Sequence, residues 1–246
     1  MNKCEIFIIL IMSVTFLHCS HNQVIHSQIV VKCALNDSAC LTQQAQSTLQ
    51  SFVEGIPELG IQQIDKLHVD DIIVQTNGFS YGWINITVAG LRNAIIDNVS
   101  INEDLKFIRV LLHTNIIMDF DYNCDGTALS LFYIFGEGKG TITQYDMQME
   151  ILFLYDIIKN VNEKDIMDLK KYYYGFDPVG GAHYNYTNIF NGDPKRSEIL
   201  LNLMNDNWRI IVAKYNGFFN EKLSEKLFDV VKTYMRSWPL EELALY

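Results

Sequence analysis

The chain has 246 residues and a formal net charge of -10, because 29 acidic side chains outnumber 19 basic ones. This charge disfavours nucleic acids and anionic membrane surfaces as partners, since both repel an acidic protein. It has no bearing on a neutral lipid. With only 4 prolines and no Ser/Gly-rich tract or clear repeat, the composition favours a single domain over residues 21–246.

The N-terminus has the pattern of a cleaved secretory leader. Lys3 precedes an apolar run over residues 6–17, and a polar segment follows from Ser20. Because a span needs about 20 apolar residues, this run predicts a signal peptide over residues 1–20, with a retained signal anchor as the alternative. We therefore expect an extracellular protein without stable membrane insertion.

Sequons for N-linked sugar fit that destination, because glycosylation occurs on the surface of exported proteins. Their predicted acceptors are Asn36, Asn85, Asn98 and Asn185. In an oxidising exterior Cys33 and Cys40 are the natural disulfide pair, which closes a small loop just before a helix. Cys124 is then either a buried thiol or, if signal-peptide cleavage leaves Cys19 in the mature chain, the disulfide partner of Cys19.

The first predicted helix covers residues 39–54, with Asp37 or Ser38 as its cap and Gly55 at its end. Its apolar stripe consists of Leu41, Ala45, Leu49, Phe52 and Val53. The pattern then changes to a period of 2, which is typical of strands. Over residues 81–88, Ile84, Ile86 and Val88 alternate with polar residues such as Asn85.

Two much longer strands are predicted next, from residue 108 and from residue 143. The first has the inward face Val110, Leu112, Thr114, Ile116, Met118, Phe120 and Tyr122. The second has the inward face Tyr145, Met147, Met149, Ile151 and Phe153, with Gln144, Asp146, Gln148 and Glu150 facing water. Between them, residues 127–135 are apolar on both sides and residues 136–140 predict a turn.

Two aromatic-rich strands are predicted over residues 165–174 and 182–187, separated by Pro178 and two glycines. The last fifth is helical over residues 196–236, about 60 Å long, with Asp193 as cap and Pro194 in the first turn. Asn216 and Gly217 predict a bend or break in it. Only the long one-sided strands can cover the apolar stripe of such a helix. We therefore predict an α+β fold in which an antiparallel sheet wraps the helix.

Two segments carry a family resemblance. A C-x6-C pair and short helix lead into GIPELGI at residues 55–61, followed by IDKL at residues 64–67. Later, NIFNG at residues 188–192 precedes a long helix containing NDNW at residues 205–208. This pattern resembles the takeout and juvenile hormone binding proteins of insects over nearly the whole predicted domain. Lys66 departs from it, because the family usually has proline there.

The resemblance implies secreted carriers of small lipids, found in haemolymph or another extracellular fluid. It also implies a strongly curved antiparallel sheet rolled around a long C-terminal helix, a hydrophobic tunnel between them, and a short disulfide-anchored N-terminal helix. The implied ligand is juvenile hormone, another terpenoid or a fatty-acid-like molecule, on which the carrier performs no chemistry. No cofactor is expected, and a cell-surface receptor is a further partner to consider.

No catalytic motif, P-loop or dinucleotide-binding pattern occurs in the chain. Residues 121–126 match half of a calcium loop, D-x-N-x-D-G, but Phe132 occupies the twelfth position, where a bidentate glutamate is required. A turn between two strands explains this stretch better. The histidines lack ligand spacing, so we predict no metal site and expect His113 to be solvent-exposed.

The candidate site is therefore the apolar interior, where methionines adapt to a flexible ligand and tyrosines offer a hydroxyl to its head group. The predicted tunnel-lining residues are Val110, Leu112, Ile116, Met118, Tyr133, Tyr145, Met147, Met149, Ile151, Trp208, Ile211 and Tyr215. Two alternatives stay open: a secreted protein-protein interaction or signalling protein with a filled interior, and a hydrolase of the same ligand, which ranks lowest.

Overall fold

The computed structural model describes residues 32–76, 78–128 and 131–246. The predicted signal peptide, the alternative anchor and Cys19 lie outside these residues. The strands are β1 Cys33–Ala34, β2 Leu67–Val69, β3 Ile72–Thr76, β4 Phe79–Ala89, β5 Ile95–Asn102, β6 Phe107–Ala128, β7 Phe132–Lys159, β8 Asp165–Tyr186 and β9 Ala244–Leu245. The α-helices are α1 Ser38–Val53, α2 Pro194–Asp206, α3 Trp208–Ser237 and α4 Leu240–Leu243.

Helix α1 begins and ends within one residue of the predicted bounds, at Ser38 and Val53 instead of residues 39 and 54. The Asp37 carboxylate accepts a hydrogen bond from the backbone N–H of Cys40 at 3.0 Å, which satisfies a free donor of the first turn. After the helix, Gly55 adopts a φ of +89° and lies against the backbone of residues 61–63, so a side chain there would clash. The predicted disulfide between Cys33 and Cys40 is confirmed, and it fixes the start of α1.

The main sheet is antiparallel and follows the order β2-β4-β6-β7-β8, with β3 also paired to β4 and β5 to β6. Strand β6 has 22 residues and β7 has 28, so these two strands run the length of the sheet. Strand β6 pairs with β5 over its first part and with β4 over its second. The short strand β1 pairs in parallel with β9, which joins the two ends of the described chain.

Bulges bend this sheet and change which face a side chain occupies. Asn85 in β4 and Asp146 in β7 both have positive φ, and the strand register shifts at each of them. The backbone N–H of Asp146 donates to the side chain of Asn115 at 2.8 Å, which holds the second bulge. Because a bulge inserts an extra residue and increases the local twist, these positions supply the curvature of the sheet.

Three predicted strand breaks are wrong. Residues 121–126 lie within β6, residues 136–140 lie within β7, and β8 runs unbroken through Pro178. The β7 glycines serve close packing: a Cβ on Gly140 would lie 2.3 Å from the ring of Phe120. Proline is tolerated in β8 because it is the last strand of the sheet order, where an N–H need not pair.

The C-terminal helical segment is broken at Asn207 rather than at Asn216 and Gly217 as predicted. Asn207 has φ -117° and ψ 32°, which are not helical, and it separates α2 from α3. Asn205 pairs with both backbone groups of Tyr184, so the end of α2 is attached to β8. At Gly217 an added Cβ would meet nothing, and α3 passes through it for its full 30 residues, about 45 Å.

Helix α3 buries one stripe against the inner face of the sheet. Phe219 and Leu223 are fully buried in one cluster with Ile86, Met118 and Ile142 from three strands. A second cluster forms near the other end of α3, where the ring of Phe228 packs against that of Tyr172 in a tilted arrangement with 4.9 Å between ring centroids. The predicted α+β architecture, a long helix covered by an antiparallel sheet, is therefore confirmed.

The backbone at Lys66 explains why this chain has lysine where the takeout and juvenile hormone binding proteins usually have proline. Its φ is +84°, a value that proline cannot adopt because the pyrrolidine ring fixes φ near -65°. The neighbouring Asp65 carboxylate accepts hydrogen bonds from the backbone of Gly90 and Arg92, which ties this loop to the end of β4.

An ion cluster joins the end of α3 to β8. The buried Asp168 carboxylate lies 2.6 Å from Lys170 Nζ and 3.3 Å from Arg236 Nε. Burial raises the pKa of Asp168, but the hydrogen bond from Lys170 and the charge of Arg236 outweigh it and hold this pKa below its usual value. The ionised carboxylate therefore stabilises the fold.

Replacing Asp168 with asparagine is expected to lower the free energy of unfolding by about 2 kcal/mol at neutral pH, because it removes the negative charge that accepts the hydrogen bond of Lys170 and pairs with Arg236. The folded-state pKa is lowered, so this stabilisation is complete above the unfolded pKa of about 3.9 and is lost as the pH falls through the folded value. The difference between wild type and variant in urea unfolding should therefore shrink below about pH 4.

Asp156→Asn is the matched control, because Asp156 faces the same lysine at 4.0 Å but its side chain is 63% exposed. Its substitution should change the unfolding free energy little. Equal effects of the two substitutions would show that the buried position of Asp168 confers no advantage.

Candidate functional site

An apolar cavity of about 320 Å³ lies between the inner face of the sheet and the junction of α2 and α3. Strands β4, β6, β7 and β8 contribute side chains from one end of the sheet, and the two helices contribute the opposite wall. This volume lies at the lower end of the range of about 300–1,000 Å³ that small-molecule sites occupy. The cavity is therefore large enough for a small ligand.

One wall of the cavity is aromatic. Alternate residues of β4 point inward, which places Phe79, Tyr81 and Trp83 side by side along the cavity. The ring of Tyr81 lies 5.8 Å from Trp83 and contacts Tyr215 of α3 edge to face at 5.7 Å. Such contacts fix the rings, so the wall is rigid where it meets the helix.

The opening of the cavity is marked by apolar side chains that are also exposed to solvent. Leu131 lies just before β7 and Phe132 is its first residue. Leu203 and Ile210 contribute from the two sides of the helix junction. An apolar molecule that enters between them exchanges water for hydrocarbon contacts from the first step.

Polar groups inside the cavity wall are few and uncharged. The Tyr122 hydroxyl donates to the backbone carbonyl of Thr187 at 2.8 Å. By contrast, the hydroxyls of Tyr81 and Tyr184 and the side-chain nitrogen of Asn216 are buried without a hydrogen-bond partner. Burial raises the pKa of Tyr81 and of Tyr184, and it raises the pKa of the Cys124 thiol to about 11. These two hydroxyls and the thiol therefore stay protonated at neutral pH.

No charged side chain lines this cavity within the part of the chain that the structure describes. In residues 32–76, 78–128 and 131–246 no cluster of three or more His, Cys, Asp or Glu side chains could hold a metal ion. Asp121 of the calcium-like stretch instead accepts hydrogen bonds from Asn85 and Lys139 on the outer face of the sheet. His113 is hydrogen-bonded to Asp97 at 2.8 Å, and its side chain is partly exposed.

Of the predicted lining residues, the structure places Ile211 and Tyr215 in the cavity wall. Trp208, at the start of α3, packs against the main core cluster that contains Phe219 and Leu223. The remaining inward residues of the long strands belong to the two packed core clusters and are not part of the cavity wall. They are Val110, Leu112, Ile116, Met118, Met147, Met149 and Ile151. Contact between these residues and a ligand stays a prediction.

Two predicted lining tyrosines lie elsewhere. Tyr145 is 44% exposed, because the bulge at Asp146 reverses the alternation of β7 and turns Gln144 inward instead. Tyr133 is 61% exposed and its hydroxyl donates to Asp125 on the outer surface. In the same way, the bulge at Asn85 leaves Ile84 off the inward face of β4, which it was predicted to share with Ile86.

Sequence reasoning missed most of the aromatic wall and the buried amide of Asn216. One signal was available in the C-terminal helix: Asn216, Asn220 and Ser224 are spaced four residues apart, next to the apolar stripe. All three are buried and carry polar atoms without partners. A polar series at helical spacing beside a buried stripe indicates buried polar side chains on that face of the helix, of which Asn216 alone reaches the cavity.

The predicted glycosylation sites differ in accessibility. Asn36 and Asn185 are exposed, and Asn85 is exposed at its bulge. The side-chain nitrogen of Asn98, which would carry the sugar, donates to Ser38 at 2.9 Å in a partly buried contact. Cys124 is a free thiol at the cavity wall. Glycosylation at all four positions stays a prediction.

The fold therefore combines a long helix, an antiparallel sheet and, between them, an apolar cavity that is large enough for a small hydrophobic molecule. The sequence profile described as haemolymph juvenile hormone binding protein matches residues 8–245. The chain therefore belongs to the haemolymph juvenile hormone binding protein family, whose members are carriers of small hydrophobic ligands and are typically extracellular. Among the described helices, none has the length and hydropathy to cross a bilayer.

Relatives and solved structures agree with this placement. The circadian clock-controlled protein daywake of Drosophila melanogaster is 22% identical over 226 residues, covering 86% of this chain and 85% of its own. Its counterpart in Drosophila yakuba is 21% identical with the same coverage. The crystal structure of Takeout 1 from Epiphyas postvittana superposes with a TM-score of 0.84 and 29% identity, covering 87% of this chain and 99% of that one.

Proposed function

We propose that this protein is a secreted carrier that binds a small hydrophobic ligand in the cavity and releases it unchanged. The observation that carries the proposal is the apolar cavity of about 320 Å³ at the helix junction. It favours the carrier over an interaction protein with a filled interior, because a close-packed core leaves few voids larger than a water molecule. Juvenile hormone, another terpenoid and a fatty-acid-like lipid are the candidate ligand classes.

Desolvation provides the binding energy. Each CH2 group buried in the cavity contributes roughly 0.8 kcal/mol, so an isoprenoid chain of about fifteen carbons gains on the order of 10 kcal/mol before ordering costs. The wall is already rigid where aromatic rings contact one another, which reduces the loss of conformational freedom on binding. Micromolar or tighter binding is therefore expected.

The test uses the full chain expressed with its own leader in insect cells. We expect the protein to be recovered from the medium. Organic extraction of the purified protein should yield a lipid that mass spectrometry detects. The apolar probe N-phenyl-1-naphthylamine should bind to the protein and be displaced by that lipid. Absence of a lipid combined with failure to bind the probe would overturn the carrier proposal. Retention in the cell membrane would instead support the signal anchor.

A cavity-filling variant locates the site. Ala128 is buried and lines the cavity, so Ala128→Phe is expected to weaken probe binding at least about tenfold by occupying the space. Ala213 lies exposed on α3, and Ala213→Phe is the matched control with expected wild-type binding. Thermal unfolding by circular dichroism checks that both variants fold. Equal probe affinity in all three proteins would place the binding site outside this cavity.

A further inference from the structure

Three residues of the cavity wall carry buried polar atoms with unused hydrogen-bonding capacity. Asn216, Tyr81 and Tyr184 are only 3%, 6% and 2% exposed, and the Asn216 side-chain nitrogen and both tyrosine hydroxyls lack a partner. Buried polar groups in native proteins are nearly always hydrogen-bonded, because leaving them unpaired costs free energy. Three such groups around one apolar cavity indicate a place where a bound molecule supplies the missing partners.

The surrounding contacts prevent these groups from turning to solvent. The Tyr81 ring is held between Trp83 and Tyr215, at 5.8 Å and 5.7 Å. Tyr184 is fixed by Asn205, whose side chain bonds to the backbone N–H and carbonyl of Tyr184 at 2.7 Å and 3.1 Å. Asn216 lies in the first third of α3 and directly follows Tyr215 in the sequence. The polar atoms are therefore preorganised within the wall.

Their chemistry restricts what they can bind. An amide nitrogen is a donor, and a tyrosine whose ionisation is suppressed by burial also offers a donor. A ligand oxygen that accepts hydrogen bonds satisfies them. A carboxylate would enter the cavity without a counter-charge, because no charged residue lines it in the described part of the chain. An unpaired buried charge is strongly unfavourable, so the acceptor should be neutral.

We propose that the cavity selects neutral, oxygen-bearing apolar ligands, such as esters and ketones, whose oxygen accepts hydrogen bonds from Asn216, Tyr81 and Tyr184. The hydrocarbon tail then extends towards the exposed apolar side chains at the opening, Leu203 and Ile210. This inference rests on the proposed carrier function, to which it adds the ligand class and the ligand orientation.

The test compares three probes with similar chains: methyl laurate, lauric acid and tridecane. Each displaces N-phenyl-1-naphthylamine from the purified secreted protein at neutral pH. Methyl laurate is expected to bind about tenfold tighter than tridecane, because it pairs donors that the hydrocarbon leaves unpaired. Lauric acid, which is ionised, is expected to bind more weakly than the ester.

Asn216→Leu keeps the side chain similar in size and removes the donor. The variant is expected to lose most of the preference for ester over hydrocarbon, while tridecane binds within about twofold of wild type. Its unliganded thermal stability should not fall, since an unpaired buried amide is removed. Tyr81→Phe and Tyr184→Phe should each reduce the ester preference in part.

Asn220→Leu is the matched control. Asn220 is one turn further along α3 and also has a buried unpaired polar atom, but it is not part of the cavity wall. The ester preference should survive this change. If the probe binds but wild type does not prefer the ester, or Asn216→Leu retains the preference, the head-group inference fails while the carrier function stands. Failure of every probe to bind overturns the carrier function itself.

Discussion

Replacing Phe219 with alanine is expected to lower the free energy of unfolding by about 4 kcal/mol, the largest effect of any single truncation that we predict. Phe219 is fully buried in the main core cluster, where the side chain of α3 meets residues of β4, β6 and β7. Truncation removes the apolar contacts and leaves a cavity that the rigid strands cannot fill. Urea unfolding followed by circular dichroism measures the loss.

The adjacent phenylalanine is an unusually close control. Phe218 directly precedes Phe219 in the sequence, but its side chain lies on the other side of α3 and is 44% exposed. Phe218→Ala should cost less than about 1 kcal/mol, since little apolar area returns to water. Similar losses for both variants would contradict the orientation of α3 and, with it, the sheet-covered helix.

Replacing Gly90 with alanine is expected to cost about 3 kcal/mol or more. Gly90 connects β4 to the turn Leu91–Asn93 with a φ of +118°, and an added Cβ would lie 1.9 Å from the backbone oxygen of Asn115 in β6. The cost combines an unfavourable backbone conformation with a displacement of the strand that Gly90 contacts. Chemical unfolding of the secreted variant measures it.

Gly78→Ala separates these two contributions. Gly78 also has a positive φ, +93°, but an added Cβ there would meet no atom within 4 Å. Its substitution should therefore cost only the backbone conformation, about 1–2 kcal/mol. If Gly90→Ala were no more destabilising than Gly78→Ala, the close approach of the β4 turn to β6 would be refuted.

The two bulges show where reasoning from the sequence reaches its limit. Strict alternation predicts that Tyr145 faces the interior and Gln144 faces water, and the structure has the reverse. The pattern of apolar residues reports the period of a strand but not the position of an inserted residue, since one bulge exchanges the two faces. The bulge at Asp146 depends on its hydrogen bond to Asn115 of the neighbouring strand.

The breaks in the chain show the same limit. The presence of Gly136 and Pro178 led to the prediction that strands end at these positions. Both residues instead lie inside long strands, where the adjacent segments of the fold determine the role of each. A Cβ on Gly136 would lie 3.0 Å from the backbone oxygen of Asn188, so glycine is needed there for close approach rather than for a turn. The sequence shows that a glycine or proline is present, whereas its structural role depends on the segment of the fold that it contacts.

The amino-acid sequence by itself determined the family, the disulfide, the caps of α1 and α2, and the pairing of long strands with a long helix. These features depend on local signals: cysteine spacing, capping residues such as Asp37 and Asp193, and apolar periodicity. Only the tertiary structure decided which inward residues leave space and which fill it. Met118 and Met147 are packed, whereas Tyr81 and Asn216 border the cavity. The reason is that a cavity is a property of several elements together, set by bulges, close glycine contacts and the break at Asn207.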